Sequence, residues 1–116
     1  MKSLREQVDS IAWFHRIDLG DGIITPGIND SSILHKIIWS HADFKNKSVL
    51  DIGARDGFYS IEATKSGANK VVAIDLWEPS AAEEAHKLHI FDNKGFQLAS
   101  SILAPSIQPI QMDIEK

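Results

Sequence analysis

The rhythm of hydrophobic positions changes near residue 47 of this 116-residue chain. Before that point the spacing is helical. Leu4, Val8, Ile11 and Ala12 in "SLREQVDSIAWF" share one face, which predicts an amphipathic helix over 3–14. The glycines of "DLGDG" end it in a turn. "IITPG" is short and extended, because Pro26 disfavours a helical backbone at Thr25. "NDSSILHKIIWSHADF" predicts a second helix, capped by Asn29 or Asp30, with Ile33, Leu34, Ile37 and Ile38 as its apolar stripe. "KNK" is a polar turn.

From residue 48 the pattern alternates between short apolar runs and helical spacing. "SVLDIG" and "KVVAID" are β-prone runs that each carry an aspartate at or near the end. "GFYSIEATKSGA" lies between them with Phe58 and Ile61 inward, and Gly67 suits the left-handed position that closes a helix. "PSAAEEAHKLHIFD" predicts a helix or ordered insertion, "KGFQLASSILA" a further helix, and "SIQPIQMD" a third strand. Pro109 places that strand at a sheet edge. Alternation of this kind predicts an α/β fold with parallel strands in the order 3-2-1, buried on both faces and preceded by two helices. The division is a helical leader over 1–45 and a partial Rossmann-like domain over 46–116.

Composition narrows the chemistry. The net charge is −4 and no basic stripe interrupts it, so charge does not support nucleic-acid binding. The absence of cysteine removes disulfides and thiolate metal sites. No apolar run reaches the ~18 residues of a membrane helix, and the N-terminus has no apolar signal core. The default expectation is a cytoplasmic protein without a membrane partner or a metal. "EEAH" at 83–86 reads as a solvated helix face, not a ligand set.

Three aspartates, Asp51, Asp75 and Asp113, fall at the carboxyl ends of the predicted strands, where ligands of such sheets sit. A buried carboxylate needs a partner. Gly53 and Gly57 flank the first turn, "GARDG". A dinucleotide site requires a middle glycine, which is Arg55 here, and Asp51 and Asp56 add negative charge beside the would-be phosphate. A cofactor with no phosphate and a positive end fits better, and S-adenosylmethionine is such a molecule.

"VLDIGARDGFYSIEATKSGANKVVAID" resembles the first nucleotide-binding motif through the second strand of the class I S-adenosylmethionine-dependent methyltransferases. "WFHRIDLGDGIITPG" resembles the leader of a bacterial group related to the tRNA wobble-uridine methyl/carboxymethyltransferases. The resemblance implies that Asp51 helps hold the methionine ammonium, directly or through water. Gly53 and Ala54 would let the backbone lie against the cofactor, and Gly57 is counted with them among the cofactor-binding residues. It further implies that Asp75 accepts hydrogen bonds from the ribose hydroxyls. Asp113 would take the adenine amino group, with Ile114 supplying backbone contact and Leu76 packing on the ring. Arg55 departs from the usual glycine and would narrow the methionine pocket.

Plainer roles are expected elsewhere. Trp13, Phe14 and Ile17 read as core packing, His15 as a structural histidine, and His41, His86 and His89 as helix-surface residues. In the resembling family further strands and the acceptor surface follow, so this sequence reads as a truncated or fragmentary form holding the cofactor cradle without a full active site. The catalytic residues and the methyl acceptor are not identified. A non-catalytic binding or assembly module is the alternative reading. With no fourth strand beside it, "SVLDIG" would be an open edge, which predicts a homodimer.

Overall fold

The computed structural model describes residues 2–77 and 91–113. The order is α1 (Leu4–Asp9), α2 (Ser32–His41), β1 (Ser48–Ile52), α3 (Phe58–Lys65), β2 (Lys70–Asp75), α4 (Lys94–Leu103) and β3 (Gln108–Gln111). The three strands form one sheet in the order β1-β2-β3, and both pairings are parallel. This is the predicted parallel order 3-2-1. Pro109 lies in an edge strand, where its missing N–H leaves no gap in a central ladder. No described helix is long and apolar enough to cross a membrane.

α3 packs on β1 and β2. The sheet face that carries Val71, Ala73 and Asp75 is buried. The opposite face is not, contrary to the expectation of burial on both sides. The register sets Leu50 beside Val72 and Ile52 beside Ile74, with Ile110 next to Ile74. Leu50 and Ile52 remain 55% and 56% exposed, so β1 alternates between half-buried and exposed positions along its length. The apolar run reports β propensity; it does not report how many faces are covered.

The leader differs from its prediction in two ways. A capping box starts α1, with Ser3 Oγ accepting from Glu6 N and Glu6 Oε1 accepting from Ser3 N. The helix then stops at Asp9 although the apolar spacing runs on. Beyond it, the backbone N–H groups of Phe14 and His15 are taken by a side chain more than 40 residues away. In α2 three of the four predicted stripe residues face outward: Ile33, Leu34 and Ile37 are 74%, 53% and 53% exposed, while Ile38 is half-buried. The helix is anchored by His35 and Trp39 instead. Trp39 Nε1 donates to Ser66 Oγ at 2.7 Å, its ring stacks on Phe44 at 4.2 Å, and the His35 ring lies 5.6 Å from that of Phe58. Its N-cap is Ser31, which makes no side-chain cap bond, while Asp30 Oδ1 accepts from Ser32 N. Two polar-aromatic anchors on one face outweigh an aliphatic stripe on the other.

One hydrophobic cluster joins both parts of the chain. Val8, Trp13, Ile17 and Leu19 of the leader pack with Ile61, Val71, Ala73, Trp77, Phe96 and Ala99. Trp13, Phe14 and Ile17 were read as core, and Trp13 and Ile17 are buried in it while Phe14 is partly exposed. His41 is exposed. His86, His89 and all but the last two residues of the predicted helix or insertion of 79–92 lie outside the described residues.

Candidate functional site

The turn between β1 and α3 folds back over the end of β2. Gly53 N and Ala54 N both donate to the Ile74 carbonyl, at 2.8 and 3.1 Å, and Gly57 N closes on Ala54 O at 2.8 Å. These N–H groups are therefore engaged within the fold, and any ligand contact at Gly53 and Ala54 falls to other backbone atoms. Gly53 has φ +75°, and a Cβ there would meet nothing within 4 Å. Glycine is required by the dihedral, and the space beside it is open. Gly57, at φ +88°, differs: a Cβ would press on the Phe96 ring at 2.9 Å. Its absence of side chain serves the packing of α3 and α4 as well as the turn.

Asp75 ends β2 and is buried. Its Oδ2 accepts from Arg55 N at 2.7 Å and its Oδ1 from Leu76 N at 2.6 Å. Two fixed amides orient the carboxylate, and each oxygen keeps a further lone pair. Asp51 lies one residue before the end of β1, and its Oδ2 accepts from Ser60 Oγ at 2.7 Å. Burial holds the Asp51 carboxyl above the ordinary carboxylate range; the Ser60 hydrogen bonds oppose that shift and the Asp75 charge adds to it. Met112 N donates to the Asp75 carbonyl at 2.9 Å, which draws the segment carrying half-buried Asp113 toward the end of β2. Leu76, 38% exposed, offers an apolar surface beside it. Ile114 lies outside the described residues.

These groups suit an adenosyl cofactor. An oriented carboxylate with spare acceptor capacity, a second carboxylate one strand away, an open glycine and an exposed leucine stand at one end of the sheet. Among the described residues, no cluster of three potential metal ligands occurs.

The structure adds a group that the sequence reading used only as a negative charge. Asp56, in the same turn, is fully buried. Its Oδ2 accepts from the backbone N–H of Phe14 at 2.6 Å and of His15 at 2.7 Å. Its Oδ1 has no partner among the described residues and abuts Gly95, where a Cβ would stand 2.7 Å away. Burial pushes the Asp56 carboxyl up to about 6, against the pull of its two amide bonds and Arg55.

The Trp-Phe-His and Thr-Pro-Gly elements meet at this point. Thr25 Oγ1 accepts from Ile17 N at 2.8 Å and donates to His15 O at 2.7 Å. Asn29 N donates to Phe14 O, and Arg16 Nε to Gly27 O. A Cβ at Gly27 would overlap the His15 carbonyl and lie 2.6 Å from Phe14 O, so the two strands of the leader touch backbone to backbone. His15 is buried with its Nδ1 unpartnered among the described residues. Burial, and then the nearby Arg55, pull its pKa down to about 4, so the imidazole is neutral near pH 7.

Arg55 adopts φ +53°, unusual for a side chain of its size. Three contacts hold it there. Its N–H is on Asp75, its carbonyl accepts from Trp77 Nε1 at 2.7 Å, and its guanidinium lies over the rings of Phe14 and Phe91 at 5.4 and 5.6 Å. The side chain therefore runs to the leader. A cue was present in the sequence, in that two charged residues occupy a turn whose ligand has no use for them.

No family model matches the chain. Among curated proteins it is similar to "Ribosomal protein L11 methyltransferase" of Legionella pneumophila. For strain Lens the identity is 32% over 81 residues, covering 62% of this chain and 28% of that protein. For strain Corby it is 39% over 56 residues, covering 46% and 19%. The chain thus spans less than a third of the length of these relatives. Among solved structures, a Listeria monocytogenes protein assigned to the S-adenosylmethionine-dependent methyltransferases matches with TM-score 0.49 and 29% identity, over 72% of this chain and 31% of that one. A ribosomal protein L11 methylase from Lactobacillus delbrueckii subsp. bulgaricus matches with TM-score 0.45 and 21% identity, over 85% and 58%.

Proposed function

We propose that this chain carries the adenosyl-binding half of an S-adenosylmethionine-dependent methyltransferase. The observation that carries the reading is Asp75. It is a buried carboxylate at the end of the central strand, aimed by two backbone amides and flanked by the open Gly53. Ribose hydroxyls are donors that such a carboxylate accepts without a change in its own partners. The names of the curated relatives support the same class.

S-adenosylmethionine supplies an activated methyl group on its sulfonium when bound. This chain's residues bind and orient. Asp75 takes the ribose, Asp51 the methionine ammonium, and Leu76 with Asp113 and Ile114 the adenine. Neutral His15 and the Phe14 ring stand on the leader side of the turn. The leader supports a closer kinship with the group related to the tRNA wobble-uridine enzymes, since its Trp-Phe-His and Thr-Pro-Gly residues form one hydrogen-bonded unit. Transfer itself requires a nucleophile held in line with the methyl carbon, which belongs to the activity of the whole protein.

Titration calorimetry with S-adenosylmethionine and S-adenosylhomocysteine tests the reading. The wild-type chain is expected to bind both. Asp75→Ala is expected to lose about 1.5–3 kcal/mol, the range for hydrogen bonds to a charged group. Unchanged affinity in Asp75→Ala would reassign the ribose. A folded chain that binds neither ligand would favour a non-catalytic module.

A further inference from the structure

Two adjacent residues of one turn face two different clients. Arg55 gives its N–H to Asp75, on the ligand side. Asp56 takes the N–H groups of Phe14 and His15, on the leader side. The peptide between them has little freedom. Arg55 stands at φ +53° and Gly57 at φ +88°, and the Arg55 carbonyl is held by Trp77 Nε1. The Asp56 carboxylate has no room to swing, because its free oxygen lies against Gly95 and the ring of Trp13 lies against the same glycine. A change at one end of this turn is therefore felt at the other.

We infer that Asp56 is a positioning residue that couples the leader to the cofactor turn, so that a ligand on Asp75 tightens the leader on Asp56. This rests on the adenosyl reading above. A ribose on Asp75 fixes the carboxylate that receives Arg55 N–H, and so favours the turn geometry in which Asp56 meets the leader amides. Linkage makes the effect reciprocal: a docked leader must raise ligand affinity by the same factor. The Arg55 guanidinium, stacked on Phe14 from the leader and Phe91 from the segment after β2, ties the same three parts together through a second set of atoms. The leader elements and the turn thereby act as one device.

Amide hydrogen exchange by NMR on the wild-type chain, with and without saturating S-adenosylhomocysteine, decides the matter. The Phe14 and His15 amides are expected to slow selectively, by between about fivefold and 150-fold, relative to the ladder amides of Val72 and Ile74. Asp56→Ala is expected to weaken S-adenosylhomocysteine by a similar factor. Asp56→Asn, which retains an oxygen for both amides, is expected to recover most of that loss. Binding without selective slowing overturns the coupling and leaves the adenosyl reading intact. So does an Asp56→Ala chain that folds and binds as the wild type does. If Asp56→Ala fails to fold, the wild-type exchange data still decide. If the wild-type chain does not bind at all, both readings fall together.

Discussion

Ser60 Oγ donates to Asp51 Oδ2 at 2.7 Å, linking the first turn of α3 to the last residues of β1. The hydroxyl is fully buried and opposes the upward shift that burial imposes on the Asp51 carboxyl. Ser60→Ala removes the donor and leaves a half-buried carboxylate with one partner fewer. The expected loss of folding stability is about 1–3 kcal/mol, measured by urea denaturation. An unchanged midpoint would mean that water replaces the hydroxyl.

Gly27 is the least replaceable glycine of the leader. Its φ lies outside the left-handed region, and the constraint is space, against the His15 and Phe14 carbonyls. Gly27→Ala must push the Thr-Pro-Gly segment off the Trp-Phe-His segment, breaking the bonds of Thr25 and Asn29. A loss of about 3 kcal/mol or more is expected in thermal or urea unfolding, at the upper end for overpacking. Gly20→Ala makes a useful contrast: φ is +94° but a Cβ would meet nothing within 4 Å. Its cost is backbone strain alone, about 1–2 kcal/mol.

Asp56 and His15 titrate in opposition. The Asp56 carboxyl rises from 3.8 to about 6 on folding, so the folded state holds this proton more tightly. Stability from this group is full at low pH and falls by about 3 kcal/mol as pH rises through that window. His15 falls from 6.5 to about 4, so the unfolded state binds its proton more tightly. Stability from this group falls by about 3 kcal/mol as pH drops from 6.5 to 4. The two slopes nearly cancel between pH 4 and 6 in the wild type. Asp56→Asn exposes the His15 slope and loses stability on acidification. His15→Phe exposes the Asp56 slope and loses stability on alkalinisation. Denaturation curves at several pH values check this, and parallel profiles for all three proteins would refute it. Arg55 and Asp75, the charges that face both groups, are common to all three.

Among the described residues β1 is a terminal strand with one unpaired edge, and its exposed apolar side chains are Leu50 and Ile52. Exposed apolar edges recruit further strands. The expected outcome is self-association through β1 at micromolar concentration, seen by light scattering, with Leu50→Lys shifting the population toward monomer. A stable 12.9 kDa monomer would overturn this expectation and mean that the edge is covered within one chain.

The parts of the fold written in local pattern were legible. "SVLDIG", "KVVAID" and the helix between them carry their structure in adjacent residues, and Pro109 marked its strand as an edge. The strand-end aspartates were visible for the same reason: a costly residue at a fixed place in the pattern. The leader was legible only in part: the start of α1 and the buried Trp13 and Ile17 were, and its longer-range contacts were not. α1 stops where Asp56 and Thr25 take up the backbone groups of Phe14, His15 and Ile17, and neither partner is a neighbour in sequence. The outward stripe of α2 was misread because periodicity identifies a face without saying what lies against it. Arg55 was read as an intrusion into the ligand space, whereas its left-handed backbone turns the side chain toward Phe14.

The separation of 42 residues between Phe14 and Asp56 also sets an order of events. Phe14 is made before the carboxylate that anchors it. At about 5–20 residues per second of synthesis, it waits about 2–8 seconds for its anchor to be added, and longer for that anchor to clear the ribosome. During that interval Trp13, Phe14 and Ile17 have no core to enter. The apolar side of the leader core, Val71, Ala73, Phe96 and Ala99, is made later still, so the polar anchor of the leader precedes its hydrophobic one.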